Sequence, residues 1–166
     1  GGTLDGMLSE YRVLSEDGVV AMPSHLSFED ASTLPCSSLT AWNSLVEVGR
    51  VKPGDTALLL GTRGGSLVPL QMVQMLGARA IITSSSDEKL ERTRALGAWQ
   101  TINYRQTPEW DKAVTEMTGG KGADHTVEVG GAGTATRSVN ATRVAGSVGM
   151  IGVLTGGSLD PTAVMR

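Results

Sequence analysis

The sequence predicts an α/β fold: a doubly wound parallel sheet with helices on both faces, preceded by a short β-hairpin-like segment. Three observations predict it. The run Thr56-Ala57-Leu58-Leu59-Leu60 reads as a buried strand, passes into the glycine-rich turn Gly61-Thr62-Arg63-Gly64-Gly65-Ser66, and continues as a helix. Beyond it, apolar strand runs and capped helical runs alternate as far as residue 153. Glycine is frequent at 22 residues and aromatics are scarce at 4%, which suits tight βα turns better than an aromatic-rich sandwich.

Each element has its own signal. Glu10-Tyr11-Arg12-Val13-Leu14 and Val19-Val20-Ala21-Met22 read as short strands around the turn Glu16-Asp17-Gly18. Ser27 caps a short helix, with Asp30 at the N3 position. A second helix is expected from Thr40 to Val48, with Trp42, Leu45 and Val46 inward and Gly49 closing it. Lys52-Pro53-Gly54-Asp55 turns into the strand at Thr56. A helix over Leu67–Leu76 follows the glycine turn and ends at Gly77. Ala80-Ile81-Ile82-Thr83 is the next strand, and Ser85 is expected to cap a helix over Asp87–Leu96. Thr101-Ile102-Asn103 is a short strand, and Pro108 opens a helix over Glu109–Met117. Asp124–Val129, Thr134–Asn140 and Ser147–Val153 complete the pattern as strand, helix and strand. Residues 155–166 show no clear element.

At 166 residues the chain can bury a core of its own. A net charge of −3 without a basic cluster argues against nucleic acid and anionic membrane as partners. The single cysteine, Cys36, excludes an internal disulfide and fits a reducing compartment, so a cytoplasmic location is expected. No apolar run approaches the ~20 residues of a membrane span, and no signal-peptide pattern opens the sequence.

The segments Leu34-Pro35-Cys36-Ser37-Ser38-Leu39-Thr40-Ala41-Trp42, Lys52-Pro53-Gly54-Asp55-Thr56, Ser84-Ser85-Ser86-Asp87-Glu88-Lys89-Leu90, Leu96-Gly97-Ala98, Ile102-Asn103-Tyr104 and Val127-Glu128-Val129-Gly130-Gly131 occur in that order. Together they resemble the medium-chain dehydrogenase/reductase superfamily, close to its zinc-type alcohol dehydrogenases and quinone oxidoreductases. The resemblance implies a Rossmann-like nucleotide-binding domain over residues 27–166, with residues 1–26 as the end of a GroES-like catalytic domain. Set against the family, the sequence resembles a nucleotide-binding core without most of that catalytic domain and without a sixth strand.

The resemblance also marks candidate residues. Gly61, Thr62, Arg63, Gly64, Gly65 and Ser66 fall on the phosphate turn, whose pattern G-x-G-x-x-G is altered at Arg63 and Ser66. A βα turn uses glycine with or without a ligand, but the flanking strand and helix favour a cofactor. Arg63 occupies space that a pyrophosphate uses, unless its guanidinium pairs with a phosphate. Pro69 removes a helix hydrogen bond about one turn further on. A weakened nucleotide site is therefore expected. Ser84 stands where NAD-specific members place an acid, so NADP(H) is favoured, with Ser85, Lys89 and Tyr104 toward the adenosine end. Ser85 and Lys89 also read simply as a cap and a solvated helix residue. Thr40, Gly130 and Gly152 match positions at the nicotinamide end.

Cys36 aligns with a zinc ligand of zinc-type members, yet one cysteine with His25 and His125 poorly spaced makes no site, and no zinc is expected. Asp124 and Glu128 share a strand face but are weak candidates for acid–base work. No residue is assigned a catalytic role. The leading reading is an NADP(H)-dependent alcohol dehydrogenase or reductase-like protein acting on a small molecule. The alternatives are a repurposed scaffold that isomerises, dehydrates or cyclises a small organic molecule in the former nicotinamide cleft, and a non-enzymatic binding module. An unpaired sheet edge and exposed apolar surface lead us to expect a homo-oligomer.

Overall fold

The computed structural model describes residues 5–62, 64–152 and 155–158. The chain divides into two compact units, residues 1–32 and 33–166.

In the first unit, Ser27 caps helix α1 (Phe28–Ser32) as expected: its Oγ accepts the Asp30 N–H at 3.1 Å. The two expected strands are not formed. Residues 10–14 and 19–22 run without ladder pairing around a single 3₁₀ turn at Glu16–Gly18. A two-stranded ribbon needs something to cover its apolar face, and here Leu8, Tyr11, Val13 and Val20 are exposed.

The second unit is the predicted α/β fold. Its strands are β1 (Thr56–Leu60), β2 (Arg79–Ser84), β3 (Gln100–Asn103), β4 (Ala123–Glu128) and β5 (Thr142–Met150). They form one parallel sheet in the order β3-β2-β1-β4-β5, with Leu58 opposite both Ile81 and Thr126. The helices are α2 (Leu34–Trp42), α3 (Gly64–Met75), α4 (Asp87–Ala95), α5 (Trp110–Met117) and α6 (Ala132–Ala141). Alternation along β1 explains the two layers. Leu59 packs with Leu45, Leu70, Val73 and Leu90 on one face. Leu58 and Leu60 pack with Ile102, Trp110, Val114 and Ala141 on the other. Every residue of β1 is buried, as a central parallel strand requires.

Several boundaries differ from expectation. Helix α2 begins at Leu34 rather than Thr40, because Pro35 falls in its first turn, where a missing N–H costs nothing. It runs on through a π-helical stretch at Asn43–Val48. Gly49 is still helical there, and Arg50 takes the left-handed turn at φ 54°. A Cβ on Gly49 would lie 2.6 Å from the Ser44 carbonyl, so glycine serves close packing rather than the turn. Helix α3 begins at Gly64, not Leu67, which leaves Pro69 buried in its interior. Helix α4 is capped by Ser86, not Ser85: Ser86 is extended and its Oγ accepts the Lys89 N–H. Strand β5 starts at Thr142, with a register irregularity opposite Ala123–His125.

The N-terminal ends of the strands are pinned by buried polar contacts. His125 is held between Asp55, 3.1 Å from Nε2, and Ser147, 2.8 Å from Nδ1. Asp124 accepts the Thr56 N–H at 2.7 Å and the Arg143 Nε–H at 2.5 Å. Burial pushes the Asp124 carboxyl up, but the Thr56 amide, the Arg143 guanidinium and His125 outweigh it and hold the group below its ordinary value. These contacts lie at the opposite end of the sheet from the glycine turn.

Candidate functional site

In a sheet ordered 3-2-1-4-5, the connections leave β1 and β4 in opposite directions, and a crevice opens at their carboxyl ends. The predicted residues converge on those strand ends. Gly61 leaves β1 at φ 83°, a backbone state that L side chains avoid. Its N–H donates to Thr83 Oγ1 at 3.4 Å, and Thr62 Oγ1 lies 3.0 Å from Ser84 Oγ. The start of the turn is thus tied to the end of β2. Helix α3 follows at once, with Gly64, Gly65 and Ser66 in its first turn. Arg63 lies outside the described residues.

The adenosine-side candidates sit together at the tip of β2, though not equally accessible. Ser84 is only 4% exposed, and its main-chain carbonyl accepts the Tyr104 N–H at 3.0 Å. Ser85 is half-buried, whereas Lys89 and Tyr104 are exposed. Thr40, Gly130 and Gly152 lie apart from this group, around the end of β4. Thr40 lines a pocket of about 200 Å³ with Cys36, Ser37, Ala41, Val127, Val129 and Ile151. Gly152 passes so close to β4 that a Cβ would lie 2.0 Å from the Val129 carbonyl carbon.

Sequence reasoning gave too little weight to Glu128. Its carboxylate is fully buried at the N-terminus of α6. Oε1 accepts the Gly130 N–H at 2.6 Å, the Gly131 N–H at 2.9 Å and the Thr134 hydroxyl at 2.7 Å, and Oε2 accepts the Ser138 hydroxyl. It shapes the crevice wall instead of facing a ligand. Thr155 was missed altogether: its hydroxyl donates to the Gly130 carbonyl and accepts the Gly133 N–H. Only the spatial return of the chain past β4 exposes that role.

The zinc-binding dehydrogenase family profile matches residues 65–166. The chain belongs to that family. A zinc-type alcohol dehydrogenase-like protein of Schizosaccharomyces pombe, C1773.06c, is 44% identical over 163 residues, 97% of this chain and 47% of the relative. A solved NAD-dependent alcohol dehydrogenase superposes with a TM-score of 0.85 at 39% identity, covering 96% of this chain and 47% of that one. Mycobacterial Rv1454c, solved with NADPH, superposes with a TM-score of 0.78 at 29% identity, covering 87% of this chain and 45% of that one. The chain spans about half the length of these three relatives.

A zinc ion does not fit the described residues of this family member by themselves. Among them, no group of three or more His, Cys, Asp or Glu side chains is placed to hold a metal. Cys36 is exposed beside Thr40, and His125 is committed to Asp55 and Ser147 at the other end of β4. Among the described residues no helix is long and apolar enough to cross a membrane.

Proposed function

We propose that this chain is the dinucleotide-binding half of an NADP(H)-dependent oxidoreductase of the alcohol dehydrogenase and quinone oxidoreductase type, acting on a small organic substrate. The observation that carries the reading is the Gly61 turn, which joins β1 to a 12-residue helix at the switch point of the sheet. Bound NADP(H) would supply the hydride chemistry. The chain's own part is to hold and orient it. The turn from Gly61 to Ser66 faces the pyrophosphate, with backbone N–H groups as donors. Thr40, Gly130 and Gly152 face the nicotinamide, and the 200 Å³ pocket beside Thr40 supports that end of the assignment.

The preference for NADP(H) rests on Ser84. A carboxylate there would accept from a ribose 2′-hydroxyl and repel a 2′-phosphate. The buried Ser84 hydroxyl removes that repulsion, and exposed Lys89 adds a positive charge nearby. Relatives described with NAD and with NADPH leave both cofactors within the family's range. Arg63 and Pro69 weaken the site relative to the family pattern. Parallel calorimetric titrations of the chain with NADPH and NADH test the reading. Tighter binding of NADPH is expected, and tighter binding of NADH would overturn the assignment.

A further inference from the structure

The hydroxyls at the tip of β2 have one donor left over. Ser84 is 4% exposed, so its side chain cannot reach a molecule in the crevice. Its Oγ accepts the Ser86 N–H at 3.4 Å and lies 3.0 Å from Thr62 Oγ1. A buried hydroxyl keeps its proton bonded, and among the described residues Thr62 is the one acceptor in place for it. The Ser84 proton therefore points to Thr62. Thr62 is half-buried, and once it has accepted that bond its own proton is free to donate away from β2.

The turn is held in register for this. The Gly61 N–H is tied to Thr83 Oγ1, and Thr62 is tied to Ser84, so neighbouring turn residues are both anchored on β2. The first acid of α4, Asp87, is occupied: its two oxygens accept the Asn103 amide at 2.7 Å and the Gln106 amide at 2.9 Å. A phosphate dianion is a pure acceptor and rewards such a donor more than a ribose hydroxyl does, because a bond to an ionised acceptor is roughly twice as strong.

Building on the dinucleotide reading above, we propose that Thr62, oriented by the buried hydroxyl of Ser84, donates to the 2′-phosphate of NADP(H) and sets the preference over NAD(H). Ser84 acts through Thr62 and is a positioning residue.

The test titrates NADPH, NADH and 2′,5′-ADP into the full chain and into Thr62→Val and Thr62→Ser. Thermal melting of each variant checks that it is folded. Thr62→Val should lose about tenfold or more in affinity for NADPH and 2′,5′-ADP, with NADH changed less than about twofold. Thr62→Ser, which keeps the hydroxyl, should retain the unmodified chain's preference. If the unmodified chain prefers NADPH and Thr62→Val keeps that preference, the role of Thr62 is overturned while the dinucleotide reading stands. If Thr62→Ser loses as much as Thr62→Val, the methyl packing of the turn is responsible and the proposal fails. If the unmodified chain binds neither nucleotide, the dinucleotide reading fails first and takes this proposal with it.

Discussion

Glu128 receives two backbone N–H groups and two hydroxyls at the root of α6, and the two N–H groups belong to Gly130 and Gly131 at the crevice. Removing the acceptor leaves buried donors unsatisfied, at roughly 1–3 kcal/mol each. We expect Glu128→Ala to lose about 2–4 kcal/mol of stability. Glu128→Gln should lose only about 1 kcal/mol: its amide oxygen still accepts from Gly130, Gly131 and Thr134, its NH2 can donate to the Ser138 hydroxyl once that hydroxyl turns, and the favourable charge at the helix N-terminus is gone. Urea unfolding of the two variants measures the difference, and equal losses would mean that the acceptor geometry is not what matters. At this scale the sequence located Ser84 at the end of β2 but not its burial. The partner that withdraws it, Thr62, is 22 residues away in the chain. Glu128 likewise read as a strand-end acid, because its donors come from the following turn and helix.

Among the elements, β1 to β5 were all legible, because apolar runs bounded by Gly, Pro and Ser leave little else to form. The ends were less so. Three serines in a row each qualify as a cap, and only the extended backbone at Ser86 selects one. The helix after the glycine turn starts at Gly64, which places Pro69 inside it, where proline costs ~3 kcal/mol. Residues 10–22 alternate like strands, but a ribbon without a covered face does not persist. The altered turn and its helix carry a prediction of their own. The double change Arg63→Gly with Pro69→Ala should raise NADPH affinity about tenfold, a gain of ~1.4 kcal/mol, by letting the backbone N–H groups reach the pyrophosphate and restoring one helix hydrogen bond. Calorimetry reads the change. A fall in affinity would show that the Arg63 guanidinium pairs with a phosphate.

For the molecule as a whole, β5 closes one side of the sheet and pairs only with β4 among the described residues. Val144 and Met150 on it are 83% and 49% exposed. A nine-residue edge strand with one open side and apolar side chains is a template for another strand. We expect the 166-residue chain to self-associate, with β5 in the contact. Light scattering at tens of micromolar should give a mass above the monomer, and Val144→Lys should shift it back. A clean monomer from the unmodified chain at that concentration would count against the edge as a contact.

The sequence by itself determined the fold class, the strand that feeds the glycine turn and the family. Those follow from local periodicity, turn chemistry and ordered motifs, which short stretches of chain carry alone. Only the tertiary structure decided that Ser84 is buried, that Glu128 is spent on the turn and helix that follow it and that His125 bridges Asp55 and Ser147. Each of these depends on burial or on a hydrogen-bond partner supplied by another element. Burial and pairing of polar groups are settled by packing between elements, which no local pattern encodes.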